Sequence, residues 1–207
     1  MIAHTGKIHQ LLFPSLLWKI DSSKIFLTFD DGPHPVATPA VLGILHEHNI
    51  KGTFFLSGQA VKKHQSLVKE IGTGNHSIGI HAFNHARSLA LSKKKTMNEI
   101  LQTEEAITQA GGRAMKIFRP PFGFLSWNTI SAAKTLGYKL VMWTTLTGDF
   151  RNDWPDERVC STALAQLSAG SILVFHDNEL TKSRIHRVLP LIIARIQERG
   201  FTFQSIQ

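Results

Sequence analysis

The sequence predicts a single α/β domain with about seven parallel strands. Runs of apolar, β-branched or aromatic residues recur along the 207-residue chain, and longer segments with helical spacing separate them. Such alternation is typical of a parallel sheet, either open or closed into a barrel. About seven units average roughly 30 residues each, whereas an eight-unit barrel has roughly 250 residues. We therefore expect a barrel that lacks one unit and has an opening in its wall.

The strands are predicted at the short apolar runs, near residues 25–29, 52–57, 77–80, 115–119, 138–144, 171–175 and 201–206. Helices are predicted between them, near residues 38–48, 59–72, 95–110, 126–136, 156–168 and 184–199. Thr38 opens the first helix, Gly111 ends the third and Gly200 ends the last. The lysines at 93–95 lie at a helix start and are expected to face solvent.

Residues 1–23 are predicted to form an N-terminal segment that packs on the domain of residues 24–207. Its apolar run is short, is interrupted by Pro14 and is followed by no small-residue cleavage site, so we do not expect a signal peptide. No run reaches the eighteen or so apolar residues of a membrane span. The apolar side chains expected to pack under the domain are Leu11, Leu12, Phe13, Leu16 and Trp18.

Composition narrows the classes of partner. The lone cysteine, Cys160, excludes a disulfide scaffold and leaves the cellular location open. Twenty-three Lys and Arg against 15 Asp and Glu give a net charge of +8, with 11 histidines in addition. This balance is compatible with nucleic acid, anionic lipid or an acidic polymer, and the histidines with a metal. The basic residues are scattered rather than clustered with aromatics, so nucleic acid is not expected.

Ionisable residues follow the predicted strands at the points where those strands end. Barrels and open α/β sheets place their sites at the carboxyl ends of strands, so these side chains are candidates for one common site. Five strand ends carry them, and the residues are Asp30, Asp31, His81, His85, Arg119, Asp149, His176 and Asp177.

A metal site is one interpretation of this pattern. Adjacent Asp30 and Asp31 are costly when both are charged, unless each has its own partner or a metal, although a turn with a helix cap also explains them. His81 and His85 have the spacing that lets two imidazoles converge on an ion, but chance alone readily supplies such a pair in a histidine-rich chain. Together, a carboxylate and two imidazoles leave coordination positions open, as a catalytic metal site requires.

The remaining candidates have both structural and chemical explanations. Arg119 can hold a carboxylate through two donors, and after two prolines the next backbone N–H is that of Phe122. His176 is either a buried core histidine or a ring beside a pocket, which Asp149 would orient and make more basic. Aromatic residues belong to the core by default, but some can line a sugar-binding groove; the candidates are Trp127, Trp143, Phe122, Phe124 and Phe150.

The order of these motifs resembles the polysaccharide deacetylase family, the chitooligosaccharide deacetylase (NodB) homology domain that is also called carbohydrate esterase family 4. The resemblance extends over about residues 24–206. The segments that carry it are Thr28–Pro33, Gly52–Phe55, His81–His85, Arg119–Gly123, the region of Asp149 and Phe150, and Ile172–His176. It implies a distorted, TIM-barrel-like (β/α) barrel and removal of N-acetyl groups from N-acetylglucosamine glycans of the peptidoglycan or chitooligosaccharide type.

The resemblance also implies roles for individual residues. Asp31, His81 and His85 would bind one divalent metal, most often zinc, and Asp30 would act as general base with Arg119 holding it. His176 would act as general acid tuned by Asp149, and the backbone N–H of Phe122 would stabilise the oxyanion. The family's substrates suggest the cell envelope or the outside of the cell, and the sequence does not identify a protein partner.

Four positions depart from the usual family pattern. Ala82 replaces a Ser or Thr whose hydroxyl stabilises the histidine loop, and Ile80 replaces a common Asn. Phe122 replaces Tyr, and Phe150 replaces Trp. None of these changes removes a metal ligand, the base or the acid, so we expect an active enzyme. The alternatives are a non-catalytic glycan-binding module of the same fold and a deacylase of small non-sugar amides.

Overall fold

A computed structural model describes residue 11 and residues 13–86 and 92–207, and within them the chain forms one parallel sheet of seven strands. The strand order across the sheet is β5-β4-β3-β2-β1-β7-β6, and no pairing joins the edge strands β5 and β6. The predicted distorted barrel of about seven parallel strands is thereby confirmed, with the opening between those two strands. The strands are β1 (Phe26–Asp30), β2 (Thr53–Leu56), β3 (Ser77–Ile80), β4 (Ile117–Phe118), β5 (Lys139–Leu140), β6 (Thr145–Leu146) and β7 (Ile172–His176).

Seven α-helices of the described residues connect and cover the strands. They are α1 (Ala37–Glu47), α2 (Gly58–Lys63), α3 (Gln65–Thr73), α4 (Lys93–Gln109), α5 (Trp127–Thr135), α6 (Asp156–Leu164) and α7 (Ile185–Glu198). Side-chain caps determine where two of them begin. The hydroxyl of Ser92 accepts a hydrogen bond from Lys95 N at α4, and that of Ser126 accepts one from Thr129 N at α5. The lysines at 93–95 form the first turn of α4, where none of them is buried.

Two predicted helices differ from the observed ones. The single helix expected at 59–72 is wrong, because His64 has non-helical backbone angles (φ −135°, ψ 52°) that end α2 and begin α3. The helix expected at 156–168 ends earlier, at Leu164. Thr38 lies inside α1 rather than at its cap, and its buried hydroxyl accepts a hydrogen bond from His34 N.

The strand expected at 138–144 is also wrong as a single element. Its first part pairs with β4 at one edge of the sheet as β5, and the chain then crosses the opening and forms β6 beside β7 at the other edge. The carbonyls of Val141 and Met142 lie in this crossing, and the guanidinium of Arg119 donates to both, at 3.2 and 2.9 Å. A side chain from inside the barrel thus satisfies backbone groups on the crossing segment.

The last predicted strand, at 201–206, is reduced to one bridge. Thr202 O accepts from Ile25 N at 2.8 Å and Gln204 N donates to Ile25 O at 3.1 Å, but no ladder follows. The sheet still has seven strands, as predicted, because residues 138–146 form two strands, β5 and β6, in place of one. The seventh strand is therefore not the predicted C-terminal one.

Part of the N-terminal segment lies across the barrel opening. Leu17 exchanges hydrogen bonds with Leu140 O and Met142 N on the β5 side, and Ile20 N donates to Gly170 O before β7. Gly170 has a φ of +80°, and a Cβ there would lie 1.9 Å from Ile20 O, so this approach requires glycine. Leu16 and Trp18 are buried, whereas Leu11 is 81% exposed. Leu12 lies outside the described residues.

The centre of the core is aromatic. Phe29 on β1 stacks on Phe54 and Phe175 of the flanking strands, with ring centroids 5.0 and 5.9 Å apart, and all three rings are fully buried. This packing fixes β1 between β2 and β7, so the residues that follow β1 and β7 emerge side by side at the carboxyl edge. Among the described residues, no helix is both long and apolar enough to span a bilayer.

Candidate active site

A cavity of about 320 Å³ opens at the carboxyl ends of the strands. It combines ionisable groups from three strand ends with apolar walls, which is the usual character of a small-molecule site. The lining residues are Asp30, Asp31, His81, His85, Pro120, Phe122, Gly123, Trp143, Leu146, Phe150, His176, Asn178 and Leu180.

Asp31, His81 and His85 converge in this cavity, with their ligand-type atoms within 4.8 Å of one another. Asp31 Oδ1 lies 3.4 Å from His81 Nε2 and 3.0 Å from His85 Nε2. Burial alone would raise the pKa of Asp31, but its contacts with the two imidazoles hold that pKa well below its usual range. The carboxylate is therefore ionised at neutral pH.

The chemistry of this cluster fits a divalent cation. The backbone carbonyl of Arg119 can only accept, so His81 Nδ1 donates to it at 2.8 Å, and this contact turns Nε2 of the ring toward Asp31. Asp31 Oδ1 is buried and receives no hydrogen bond from the described residues. Two imidazole nitrogens and one carboxylate oxygen thus converge, the set of ligand types that zinc prefers.

Asp30 is held by a buried guanidinium. Arg119 Nη1 donates to Asp30 Oδ1 at 2.7 Å, and the Arg119 side chain is fully buried with its guanidinium 4.1 Å from the ring centre of Phe55. Burial lowers the pKa of Arg119, whereas the Asp30 carboxylate opposes that shift. A buried ion pair with this many hydrogen bonds fixes one oxygen of Asp30 and leaves the other for chemistry.

His176 is paired with Asp149 on the far side of the cavity. The ring Nδ1 lies 2.8 Å from Asp149 Oδ1, and His176 N donates to Asp149 Oδ2 at 2.7 Å. Burial lowers the pKa of His176, but the Asp149 carboxylate outweighs it and raises that pKa to about 9. The imidazole therefore carries a proton at neutral pH, with Asp30 and Asp31 adding to the effect.

Two supporting residues were absent from the candidates that the sequence offered. Arg184 donates to the carbonyls of Asp149, Arg151 and Trp154 at 3.0, 2.7 and 2.7 Å, and so fixes the loop that carries Asp149. Asn178 Nδ2 donates to Asp31 Oδ2 at 2.7 Å.

Asp177, one of the strand-end candidates, is buried and accepts hydrogen bonds from Gly32 N at 3.1 Å and from the Thr38 hydroxyl. A Cβ at position 32 would lie 2.1 Å from the Asp177 carboxylate, so the close approach requires glycine. Burial raises the pKa of Asp177 to about 8. Its place directly after β7 made Asp177 a candidate in the sequence, whereas no sequence pattern singled out Asn178 or Arg184.

The Pro-rich loop forms one wall of the cavity. Residues Pro121–Gly123 make a 3₁₀ turn in which Phe122 has a left-handed φ of 58°, and its ring lies 4.5 Å from that of His85. Of the four other aromatic residues proposed for a groove, Trp143 and Phe150 line the cavity. Trp127 and Phe124 do not line it, and they are 81% and 51% exposed.

The open barrel, with an Asp-His-His cluster at its carboxyl edge that could hold a metal ion, indicates a protein of the carbohydrate esterase type. The sequence agrees with that class, since the family model described as polysaccharide deacetylase matches residues 19–141. The chain belongs to the polysaccharide deacetylase family.

Several proteins of the family are similar in sequence to this chain over most of its length. Two Bacillus cereus proteins named peptidoglycan-N-acetylglucosamine deacetylase are 33% and 29% identical to it, over 76% and 91% of this chain. A chitooligosaccharide deacetylase of Azorhizobium caulinodans is 29% identical over 90% of this chain. The chain spans 57% of the first relative, 90% of the second and 94% of the third.

Solved structures share the fold. A peptidoglycan N-acetylglucosamine deacetylase in complex with an N-hydroxybenzamide compound has a TM-score of 0.86 and 27% identity, covering 98% of this chain and 95% of its own. A mutant of a carbohydrate esterase family 4 pseudoenzyme with restored enzymatic activity has a TM-score of 0.80 and 26% identity, covering 90% of this chain and 66% of its own. Because the fold also occurs in a pseudoenzyme, the site residues and not the fold must decide whether this chain is catalytic.

Proposed function

We propose that this protein hydrolyses the N-acetyl group of N-acetylglucosamine units in a glycan of the peptidoglycan or chitooligosaccharide type. The observation that carries the proposal is the joint presence, in one cavity, of the Asp31-His81-His85 cluster, the Asp30 carboxylate and a protonated His176. The names of the relatives support the substrate class. A binding module has no need for ligands, base and acid in the same place.

Asp31 Oδ1 and Nε2 of His81 and His85 would hold one divalent ion, and the nitrogen-rich donor set favours zinc. Bound there, such an ion supplies Lewis acidity, which acidifies water and polarises an amide carbonyl. Asn178 and the Arg119 carbonyl would fix the orientation of Asp31 and His81 through their hydrogen bonds.

Asp30 would act as the general base. It accepts the proton of the water that attacks the acetamide carbonyl carbon, and the hydrogen bond from Arg119 holds the carboxylate in place. The backbone N–H of Phe122, on the cavity wall, would donate to the oxyanion that develops on the carbonyl oxygen.

His176 would act as the general acid. When the carbon–nitrogen bond breaks, it gives its proton to the departing sugar amine, and acetate is the other product. A pKa near 9 keeps the imidazole charged over the neutral range, so the acid is loaded before the reaction. Asp149 maintains that charge and the orientation of the ring.

The departures from the family pattern leave this machinery intact. Ile80 is buried in β3, and its carbonyl accepts from Arg119 N. Phe122 and Phe150 keep an aromatic face on the cavity without the polar groups of Tyr and Trp. We therefore expect a more apolar groove and an altered substrate fit rather than loss of the reaction.

The test is acetate release from chitin oligomers, peptidoglycan, acetylated xylan and a small N-acetyl amide that is not a sugar, each with and without added zinc. We expect zinc-dependent release from the N-acetylglucosamine substrates. Release only from the non-sugar amide would favour a small-amide deacylase. Binding to the glycans with no release from any substrate would favour a non-catalytic module and contradict the proposal.

A further inference from the structure

We propose that Glu99 on α4 is a positioning residue that holds the loop of residues 81–85 in the shape that presents His81 and His85 to the metal. This inference rests on the proposed function, since it assigns the support of the same metal site. Glu99 does not line the cavity and touches neither imidazole, so it would act through the loop backbone.

Both carboxylate oxygens of Glu99 accept hydrogen bonds from that loop. Its Oε2 accepts from Phe83 N at 2.8 Å and from Asn84 N at 2.7 Å, and its Oε1 accepts from Asn84 Nδ2 at 2.6 Å. Glu99 is only 8% exposed, and no cation among the described residues forms an ion pair with it. A buried carboxylate without a cation needs several strong donors, and here the loop supplies three of them.

The loop that Glu99 holds has an unfavourable backbone conformation. Ala82 has a φ of 70° and His85 a φ of 51°, both in the left-handed region that non-glycine residues rarely adopt. Such conformations persist when surrounding contacts determine them. The metal-binding shape of the loop therefore depends on its neighbours and not on its own residues.

Contacts on the opposite side of the loop complete the arrangement. Gly58 N and Gln59 N donate to the carbonyls of Ala82 and Phe83, at 3.0 and 3.1 Å. The loop carbonyls thus bind the start of α2, and the loop N–H groups bind Glu99. Ala82 has no hydroxyl to stabilise the loop, and the Glu99 carboxylate would supply that support instead.

Removal of the carboxylate would leave three donors without an acceptor and release the constraint on Ala82 and His85. Metal binding would then have to order the loop, and the free-energy cost of that ordering would weaken the binding. Outer-shell partners of metal ligands change affinity by about 10–100-fold, and a loop that carries two of the three ligands belongs in that range.

The experiment measures zinc affinity of metal-free protein by competition with a chromophoric chelator, together with thermal unfolding with and without zinc. Glu99→Ala should bind zinc about 10–100-fold more weakly and show a smaller zinc-induced rise in Tm. Glu99→Gln should restore most of the affinity, because its amide oxygen can accept from both backbone N–H groups. Glu105→Ala, which removes an exposed carboxylate of the same helix, should match the wild type.

A merely structural role has a different signature. If Glu99→Ala lowers Tm equally with and without zinc and leaves the zinc affinity unchanged, the inference is overturned. If the wild type itself fails to bind zinc, the proposed metal site fails instead. Should Glu99→Ala not fold, Glu99→Asp, whose carboxylate is one methylene shorter, gives the same comparison: weakened zinc binding supports the role and unchanged binding overturns it.

Discussion

The charge of His176 depends on Asp149, and Asp149→Asn tests that dependence directly. In the native protein the Asp149 carboxylate outweighs the effect of burial and raises the pKa of His176 from 6.5 to about 9. Asparagine has nearly the same shape and can still accept from the ring Nδ1, so the ring is expected to stay in place. The variant loses the negative charge and the acceptor for His176 N.

The size of the effect follows from the pKa. A rise of roughly 2.5 in the pKa of His176 corresponds to about 3 kcal/mol in favour of the imidazolium, because each pKa unit is worth about 1.36 kcal/mol. Asp149 accounts for the larger part of the upward shift, and Asp30 and Asp31 add less. Without that carboxylate, burial opposes only the weaker contributions, so the pKa should fall to about 6.5 or below.

Two measurements report the change. An NMR titration of the histidine C–H signals in chelator-treated protein should show one pKa near 9, and in the variant that pKa should fall to about 6.5 or below. The alkaline limb of the pH–rate profile for acetate release should move to lower pH, because the acid must be protonated to act. A wild-type value at or below 6.5, or an unchanged value in the variant, would refute the reasoning.

The same pair predicts how stability depends on pH. The folded-state pKa of His176 lies above its unfolded value, so its contribution is fully present below pH 6.5 and is lost as the pH rises through about 9. From pH 6.5 to about 9, the free energy of unfolding of the metal-free wild type should fall by about 3 kcal/mol more than that of a protein whose His176 has the same pKa folded and unfolded. In Asp149→Asn this loss should be much smaller, as urea unfolding at several pH values would show.

Three further predictions concern neighbouring residues. Asp30→Asn should keep its zinc but lose nearly all acetate release, and it should unfold at a lower temperature because Arg119 loses its counter-charge; undiminished release would contradict the role of base. His81→Ala should lower the content of divalent metal from about one per chain, measured by elemental analysis on folded protein, and full retention would contradict its assignment as a ligand. Asp177→Asn should flatten the pH dependence of stability between about pH 4 and 8, since burial holds a proton on Asp177 that the unfolded chain releases in that range; an unchanged slope would contradict a buried neutral acid.

The sequence predicted the fold class and the converging residues because both depend on local signals. Strand–helix alternation requires a parallel sheet, and such a sheet brings together whatever follows its strands. Asp31 is far in the chain from His81 and His85, yet it meets them for that reason. Patterns of this kind are present in a single sequence.

The features that the sequence could not predict depend on contacts across the fold. The 138–144 run is largely apolar, and nothing in it shows that Val141 and Met142 cross the barrel opening under the guanidinium of Arg119. Glu99 resembles any other glutamate of a helix, and Arg184 resembles a solvated arginine. Their roles exist only because distant loops are folded against them.

The burial of Arg119 limits which substitutions the family can accumulate near the proposed base. Its guanidinium binds Asp30, Thr28 and the two carbonyls of the barrel crossing at once, so the proposed base also neutralises a cation that the fold cannot release to solvent. Replacing one partner of such a buried pair costs about 3–5 kcal/mol, a large part of the stability of a domain. Replacement of Asp30 alone would therefore destabilise the fold, and it is disfavoured even when activity is not under selection. A stable inactive descendant of this chain is expected to carry changes at both positions 30 and 119.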